Sequence, residues 1–177
     1  MALRPLHLLG SPILREKSGD VTVDAEIEKL VADLYETMYA AQGIGLAANQ
    51  VGLAKRVAVV DAQDLRITLI NPVILEREGT DRAEEGCLSI PEIYGDVDRA
   101  QRVVIETATL DGEREKIELS ELPARAVQHE IDHLDGILFL DHLSPLRRRM
   151  LLKKWKKFRK GEEGFIQHVQ PIDRAAR

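Results

Sequence analysis

Nine residues, Gln128-His129-Glu130-Ile131-Asp132-His133-Leu134-Asp135-Gly136, constrain this chain more than any other stretch. They contain the pattern H-E-x-x-H. On a helix, His129 and His133 fall one turn apart on the same face. Two imidazoles at that spacing can hold one metal ion, and Glu130 stands beside them as a carboxylate. The flanks also read as helix: Ser120 suits an N-cap, Glu121 and Pro123 a first turn, and Gly136 the stop. Leu122, Ala126, Ile131 and Leu134 thread the segment with apolar side chains, so it belongs in the interior. The alternative is a buried helix whose histidines only hydrogen-bond their neighbours.

The rest of the chain must supply a core around that helix. At 177 residues the chain is expected to form one domain. Aromatics are 4% of it, so Leu, Ile, Val and Ala must fill the interior. Asp24 can cap a helix whose apolar residues Ile27, Leu30, Val31, Leu34, Tyr35 and Met38 recur at helical spacing, with Gly43 as its end. Arg56–Ala62, Ile67–Leu75, Arg102–Leu110 and Arg114–Leu119 read as strands, rich in β-branched residues and bounded by turn signals. Asp111-Gly112 predicts a hairpin between the last two, hence antiparallel pairing. Strands and helices do not alternate regularly, which argues against a doubly wound parallel sheet. Ile137–Leu140 reads as one more short buried strand. Ser144-Pro145 opens a C-terminal helix over residues 145–160, with Leu146, Met150, Leu151, Trp155 and Phe158 as its apolar stripe. Residues 1–160 are thus the expected folded unit, and 161–177 a flexible tail.

Charge is unevenly spread. Nine Lys or Arg and no acid lie between Arg147 and Lys160, within a chain of formal net charge −5. A basic arm on an acidic body points to an acidic partner for the arm. No stretch reads as a signal peptide or a membrane span, since Arg4, Pro5 and His7 interrupt the first ten residues. Cys87, the single cysteine, excludes an intramolecular disulfide and fits a reducing cytosol.

Two further stretches bear on chemistry. Gly43-Ile44-Gly45-Leu46-Ala47-Ala48-Asn49-Gln50 is glycine-rich yet apolar and ends in two amides. No Gly-Lys-Ser/Thr follows, so it is a poor phosphate cradle. It can be a tight structural turn, but its glycines allow close backbone approach, and the Gln50 amide can donate to a reacting oxygen. Glu85-Gly86-Cys87-Leu88-Ser89 lies between strands and carries the cysteine. The H-E-x-x-H helix needs a third ligand. Phe139 stands where a third histidine of the longer H-E-x-x-H-x-x-G-x-x-H pattern would be. A downstream acidic ligand would have to be Glu162 or Glu163, in a polar segment. Cys87 is the better third ligand, and three protein ligands leave a position open, the mark of a catalytic site.

Taken together, Gly43–Gln50, Glu85–Ser89 and Gln128–Gly136 resemble the three signature motifs of the peptide deformylases, in the order and spacing of the bacterial type with a C-terminal helix. The resemblance covers roughly Pro5 to Lys160. It implies an α+β fold, with antiparallel β-sheets around the metal-binding helix and helices at both ends. It implies removal of the formyl group from the N-terminal formyl-methionine of nascent polypeptides. By motif position, Cys87, His129 and His133 would be ligands of one divalent ion, most often iron(II), with zinc, nickel or cobalt able to substitute. Glu130 would be the general base and then acid. Gln50 and the Leu88 backbone N–H would form the oxyanion hole, and Ile44, Gly45 and Gly86 would hold the substrate backbone.

Competing readings remain at the level of sequence. A metalloprotease or other metal amidase would lack its third His or Glu. A ribosome- or nucleic-acid-binding module with a structural metal would need neither an open coordination position nor Glu130. Binding to the ribosome, to rRNA and proteins near its exit, through the basic C-terminal helix is compatible with the deformylase reading. The expected compartment is the cytoplasm, with no membrane contact.

Overall fold

The computed structural model describes residues 2–172. In chain order its first half comprises β1 (Leu6–His7), α1 (Ala25–Ala40), β2 (Gly45–Ala47), β3 (Val57–Ala62), β4 (Leu65–Ile70) and β5 (Val73–Glu78). Then follow β6 (Asp81–Cys87), β7 (Ile90–Arg99), β8 (Arg102–Ala108), β9 (Arg114–Ser120), α2 (Glu121–Leu134), α3 (Pro145–Phe158) and β10 (Ile166–Gln167). Every sheet is antiparallel: β2-β3-β4, β5-β8-β9, β6-β7 and β1-β10. The fold is α+β, with the H-E-x-x-H helix packed against β2 and β3.

β3 explains how that helix comes to lie inside. Successive side chains on a strand point to opposite faces. Val57 and Val59 join the stripe of α1, namely Ile27, Leu30, Val31, Leu34, Tyr35 and Met38. Ala58 and Val60 turn the other way, to Ala126, Val127, Ile131 and Leu134 of α2. One strand is therefore sandwiched between two helices. The small Ala58, set among larger neighbours, lets α2 approach the sheet closely. α1 starts where expected, the Asp24 side chain accepting the Ile27 N–H at 2.9 Å. Its stop is different: Gln42 takes the left-handed conformation (φ 58°). Gly43 is needed instead because a Cβ there would stand 2.6 Å from Leu88.

Three strand expectations are corrected. Ile67–Leu75 is not one strand: Asn71 takes φ 49° before Pro72, and the chain leaves β4 for β5 in another sheet. The Asn71 side chain holds that corner by bonding both the N–H and the carbonyl of Val21. Ile137–Leu140 is not a strand either. Asp141 accepts the Leu138 N–H at 3.0 Å, and Phe139–His142 closes into a short 3-10 turn. Glu85, Gly86 and Cys87 lie on β6 rather than between strands, in a hairpin with β7 that was not expected. The Asp111-Gly112 hairpin is present, with Gly112 at φ 84°.

At the C-terminus, α3 buries Trp155 in a third cluster with Leu8, Ile93, Leu138 and Phe139. Its expected stripe is only half used, because Leu146, Met150 and Phe158 stay exposed. Beyond α3, where a loose tail is expected, Ile166–Gln167 pairs with Leu6–His7. Residues 173–177 of that tail lie outside the described residues.

Candidate functional site

α2 sets the geometry. His129 and His133, one turn apart, bring their Nε2 atoms to 3.2 Å. Cys87 arrives from the end of β6, and its Sγ stands 3.3 Å from His133 Nε2. The register of β6 against β7 shifts between Glu85 and Cys87, and such a bulge re-aims a side chain. The three ligand-type atoms all lie within 4.8 Å of one another.

Glu85 orients the first histidine. Its Oε1 sits 2.8 Å from His129 Nδ1, so that nitrogen carries the proton and Nε2 presents a lone pair to the cluster. Glu85 itself is clamped by a two-pronged Arg99 fork at 2.9 Å on each oxygen, and by Arg125 at 2.6 Å. Burial opposes its charge. The hydrogen bonds from Arg99 and His129 outweigh burial and hold its carboxyl well below the usual range. Arg99 reaches on to Asp132, which also meets His142 at 2.7 Å. The chain of groups is polar and paired, buried at Glu85 and Arg99 and reaching the surface at His142.

The cluster has the chemistry of a cation site. Burial pulls His133 down, and the charges of His129 and Arg99 pull the same way. On His129 burial is outweighed by Cys87 and Glu85, so its pKa rises. Cys87 Sγ and the two Nε2 atoms stand 3.2–3.3 Å apart along the chain of contacts. One soft sulfur and two imidazoles at that spacing fit a divalent transition ion. Cys87, His129 and His133 can therefore hold a metal ion.

Glu130 lies beside them, 4% exposed, with Oε2 lacking any hydrogen-bond partner among the described residues. Burial pushes its carboxyl up to about 7. Gly45 backs onto it so closely that a Cβ would stand 2.3 Å from Glu130 Oε1. Gln50 is equally fixed: its Oε1 accepts the Ala47 N–H at 2.9 Å. That leaves Nε2 to donate to Ser89 Oγ at 3.0 Å, with Cys87 Sγ 3.6 Å away.

One cavity of about 760 Å³ collects these groups. Ile44, Gly45, Gln50, Gly86, Leu88 and Glu130 all line it, as do Cys87 and His129. His133 lies behind the wall, 1% exposed. The Tyr94 ring rests on Gly86, where a Cβ would meet it at 2.7 Å. Every site residue expected from sequence is brought to this place. Glu85 and Arg99, which anchor the histidine, were not singled out. Glu85 lies within the Glu85–Ser89 stretch; Arg99, 14 residues on, carries no local signal.

The sequence model of the polypeptide deformylase family matches residues 3–149. The peptide deformylase of Acidobacterium capsulatum is 44% identical over 169 residues, 92% of this chain and 99% of that protein. That of Acetivibrio thermocellus is 53% identical over 142 residues, 80% and 84% of the two chains. The crystal structure of a peptide deformylase from Legionella pneumophila superposes with a TM-score of 0.84 at 39% identity, covering 90% of this chain and 96% of that one. Among the described residues, no helix is long and apolar enough to cross a membrane. With its fold, its motifs and most of its length shared in this way, the chain belongs to the peptide deformylase family.

Proposed function

We propose that this enzyme removes the formyl group from the N-terminal formyl-methionine of newly synthesised polypeptides, using iron(II) held by Cys87, His129 and His133. The observation that carries the reading is three converging ligand atoms beside a buried carboxylate that keeps one oxygen unpartnered. Held by these three residues, a divalent ion would supply a water activated for attack near neutral pH.

The remaining work falls to the chain. Glu130, its carboxyl at about 7, is matched to accepting the water proton near neutral pH and returning it to the leaving amine. As the formyl carbon becomes tetrahedral, its oxygen gains charge and needs donors. The Leu88 backbone N–H is one. Gln50 is the other: one of its N–H groups is engaged by Ser89, and the second faces Cys87. Ile44, Gly45 and Gly86 hold the substrate backbone extended, the two glycines letting Glu130 and Tyr94 pack close against the chain there. A formyl carbon bears only hydrogen, so a cramped site admits it and rejects bulkier acyl groups.

Zinc, nickel and cobalt suit the same donor set. Iron(II) is proposed from the family resemblance, and Cys87, His129 and His133 would hold it with one soft sulfur and two imidazoles. The basic α3 is proposed to dock on ribosomal RNA and proteins near the exit, in the cytoplasm. In support, Leu146 and Met150 are exposed among its cations, and only Arg148 of the nine is ion-paired among the described residues.

The test is formate released from formyl-Met-Ala-Ser by protein purified without air and loaded with iron or zinc in parallel. Fast release by the iron form supports the reading. No formate from either form overturns it, and equal rates overturn the choice of ion.

A further inference from the structure

The matched family region ends at residue 149, yet the chain beyond it returns to the cleft. Arg159 donates to the Gly164 carbonyl at 2.8 Å. The Phe165 ring then covers Gly10, where a Cβ would come within 2.3 Å of it. The Leu8 N–H donates to the Phe165 carbonyl at 2.7 Å, β10 pairs with β1, and Val169 packs on the α1 core. The path is fixed at successive points. It leaves Gln167, His168 and Gln170 on the wall of the cavity that contains Glu130 and His129. Just past β1, the Leu9 N–H donates to the Ser89 carbonyl at 2.8 Å. The segment is thereby tied to the turn that carries Leu88.

We propose that Gln167–Gln170 form a subsite for the backbone of the third and fourth residues of the substrate peptide. This rests on the deformylase reading. At about 760 Å³ the cavity falls in the range that buries a drug-sized ligand, well beyond one formylated residue. The wall that the segment adds carries no carboxylate, ammonium or guanidinium group. Two amides and an imidazole offer donors and acceptors without a fixed charge, so they suit the peptide backbone rather than a particular side chain. β10 also lies at the edge of a two-stranded sheet, and an extended peptide can pair with such an edge. A substrate whose residues after methionine vary is recognisable there only by its backbone.

The experiment compares formyl-Met-Ala with formyl-Met-Ala-Ser-Ala on three metal-loaded proteins. These are the full chain, a chain ending after Gly164, and the full chain carrying Gln167→Ala, His168→Ala and Gln170→Ala. The three substituted side chains are exposed, so the last protein keeps its fold. Loss of a few backbone-type hydrogen bonds predicts a KM for the tetrapeptide raised about three- to tenfold with kcat held. The dipeptide should change by less than about twofold. Equal losses on both peptides would make the segment a structural cover and overturn the proposal, as would no change on either. If the full chain released formate from neither peptide, the deformylase reading itself would fall. Release from both, with length preference untouched by the variants, would remove only this subsite.

Discussion

α2 and α3 are both 14 residues long, and they use charge in opposite ways. On α2, Arg125, Glu130, Asp132 and the two histidines are buried or nearly so, and all but Glu130 have a specific partner. On α3, seven cations lie at the surface and one apolar residue, Trp155, is buried. Taking a charge out of water costs several kcal/mol unless it is paired, so Arg125, Asp132 and His129 are bound into a network, and Glu130 is the exception. Charges left in water cost little and organise little. The lesson is that a polar helix in the interior is a constructed site, whereas a polar helix on the surface is a handle.

The contrast is broken most severely at Glu130, the α2 carboxylate with an unpartnered oxygen. Glu130→Gln keeps the shape and removes the base, so turnover should fall by about 10²–10⁴, with bound metal near stoichiometric by elemental analysis. Substantial activity in that protein would remove the proton-transfer role. Next in size is Gln50→Ala, expected to lower turnover by about 10²–10³ as an oxyanion donor is lost. An effect on KM alone would make Gln50 a binding residue.

On α3 the expectation is reversed. Lys153→Glu, Lys156→Glu and Lys157→Glu together should leave deformylation and the unfolding midpoint nearly unchanged, because none of the three is ion-paired among the described residues. Co-sedimentation with ribosomes should weaken in that variant, and in the parent with added salt. Binding that ignores both charge and salt would refute docking by this helix.

The smallest effect joins the two regions. Asp141 receives Arg15 at 2.6 Å and Arg148 of α3 at 3.2 Å. Burial opposes its charge, but the Arg15 hydrogen bond and the Leu138 N–H outweigh it, so its pKa lies below the ordinary carboxylate value. A lowered folded-state pKa gives stability that is full above the unfolded value and lost as pH falls toward the folded one. Mild acid should therefore lower the midpoint of the parent slightly more than that of Asp141→Asn, followed by Trp155 fluorescence. Identical acid sensitivity would remove Asp141 as the anchor of α3.

α1 is legible in the sequence because helical spacing and the Asp24 cap agree, and α2 because helical spacing and the metal-ligand pattern agree, although Ser120 makes no side-chain cap bond. The β8–β9 hairpin was legible because Asp-Gly has few other uses between β-branched runs. β6 was not, since Asp81, Arg82, Glu84 and Glu85 look like a solvated loop. Its strand exists because β7 pairs with it and because Arg99 and Arg125 neutralise Glu85, which are partners distant in sequence. The alternating burial along β7 was there to be read in Ile90, Ile93, Val97 and the polar residues between them. The 3-10 turn after Gly136 was hidden because Ile137–Leu140 is apolar at every position, and only the Asp141 hydrogen bond decides its shape.

The bulged end of β6 also sets the order in which the chain acquires its chemistry. His129 and His133 share a turn and are neighbours as soon as α2 forms, but Cys87 lies 46 residues from His133. Bringing it in means closing a long loop, whose entropic cost must be met before the contact returns anything. An extended chain thus presents two scattered imidazoles and a thiol, a weak trap for any ion. The folded chain presents all three at once. An ion that binds the native state and hardly the unfolded one pulls the folding equilibrium toward the native side by mass action. A metal ion held by these three residues would therefore also fasten the hairpin to the helix.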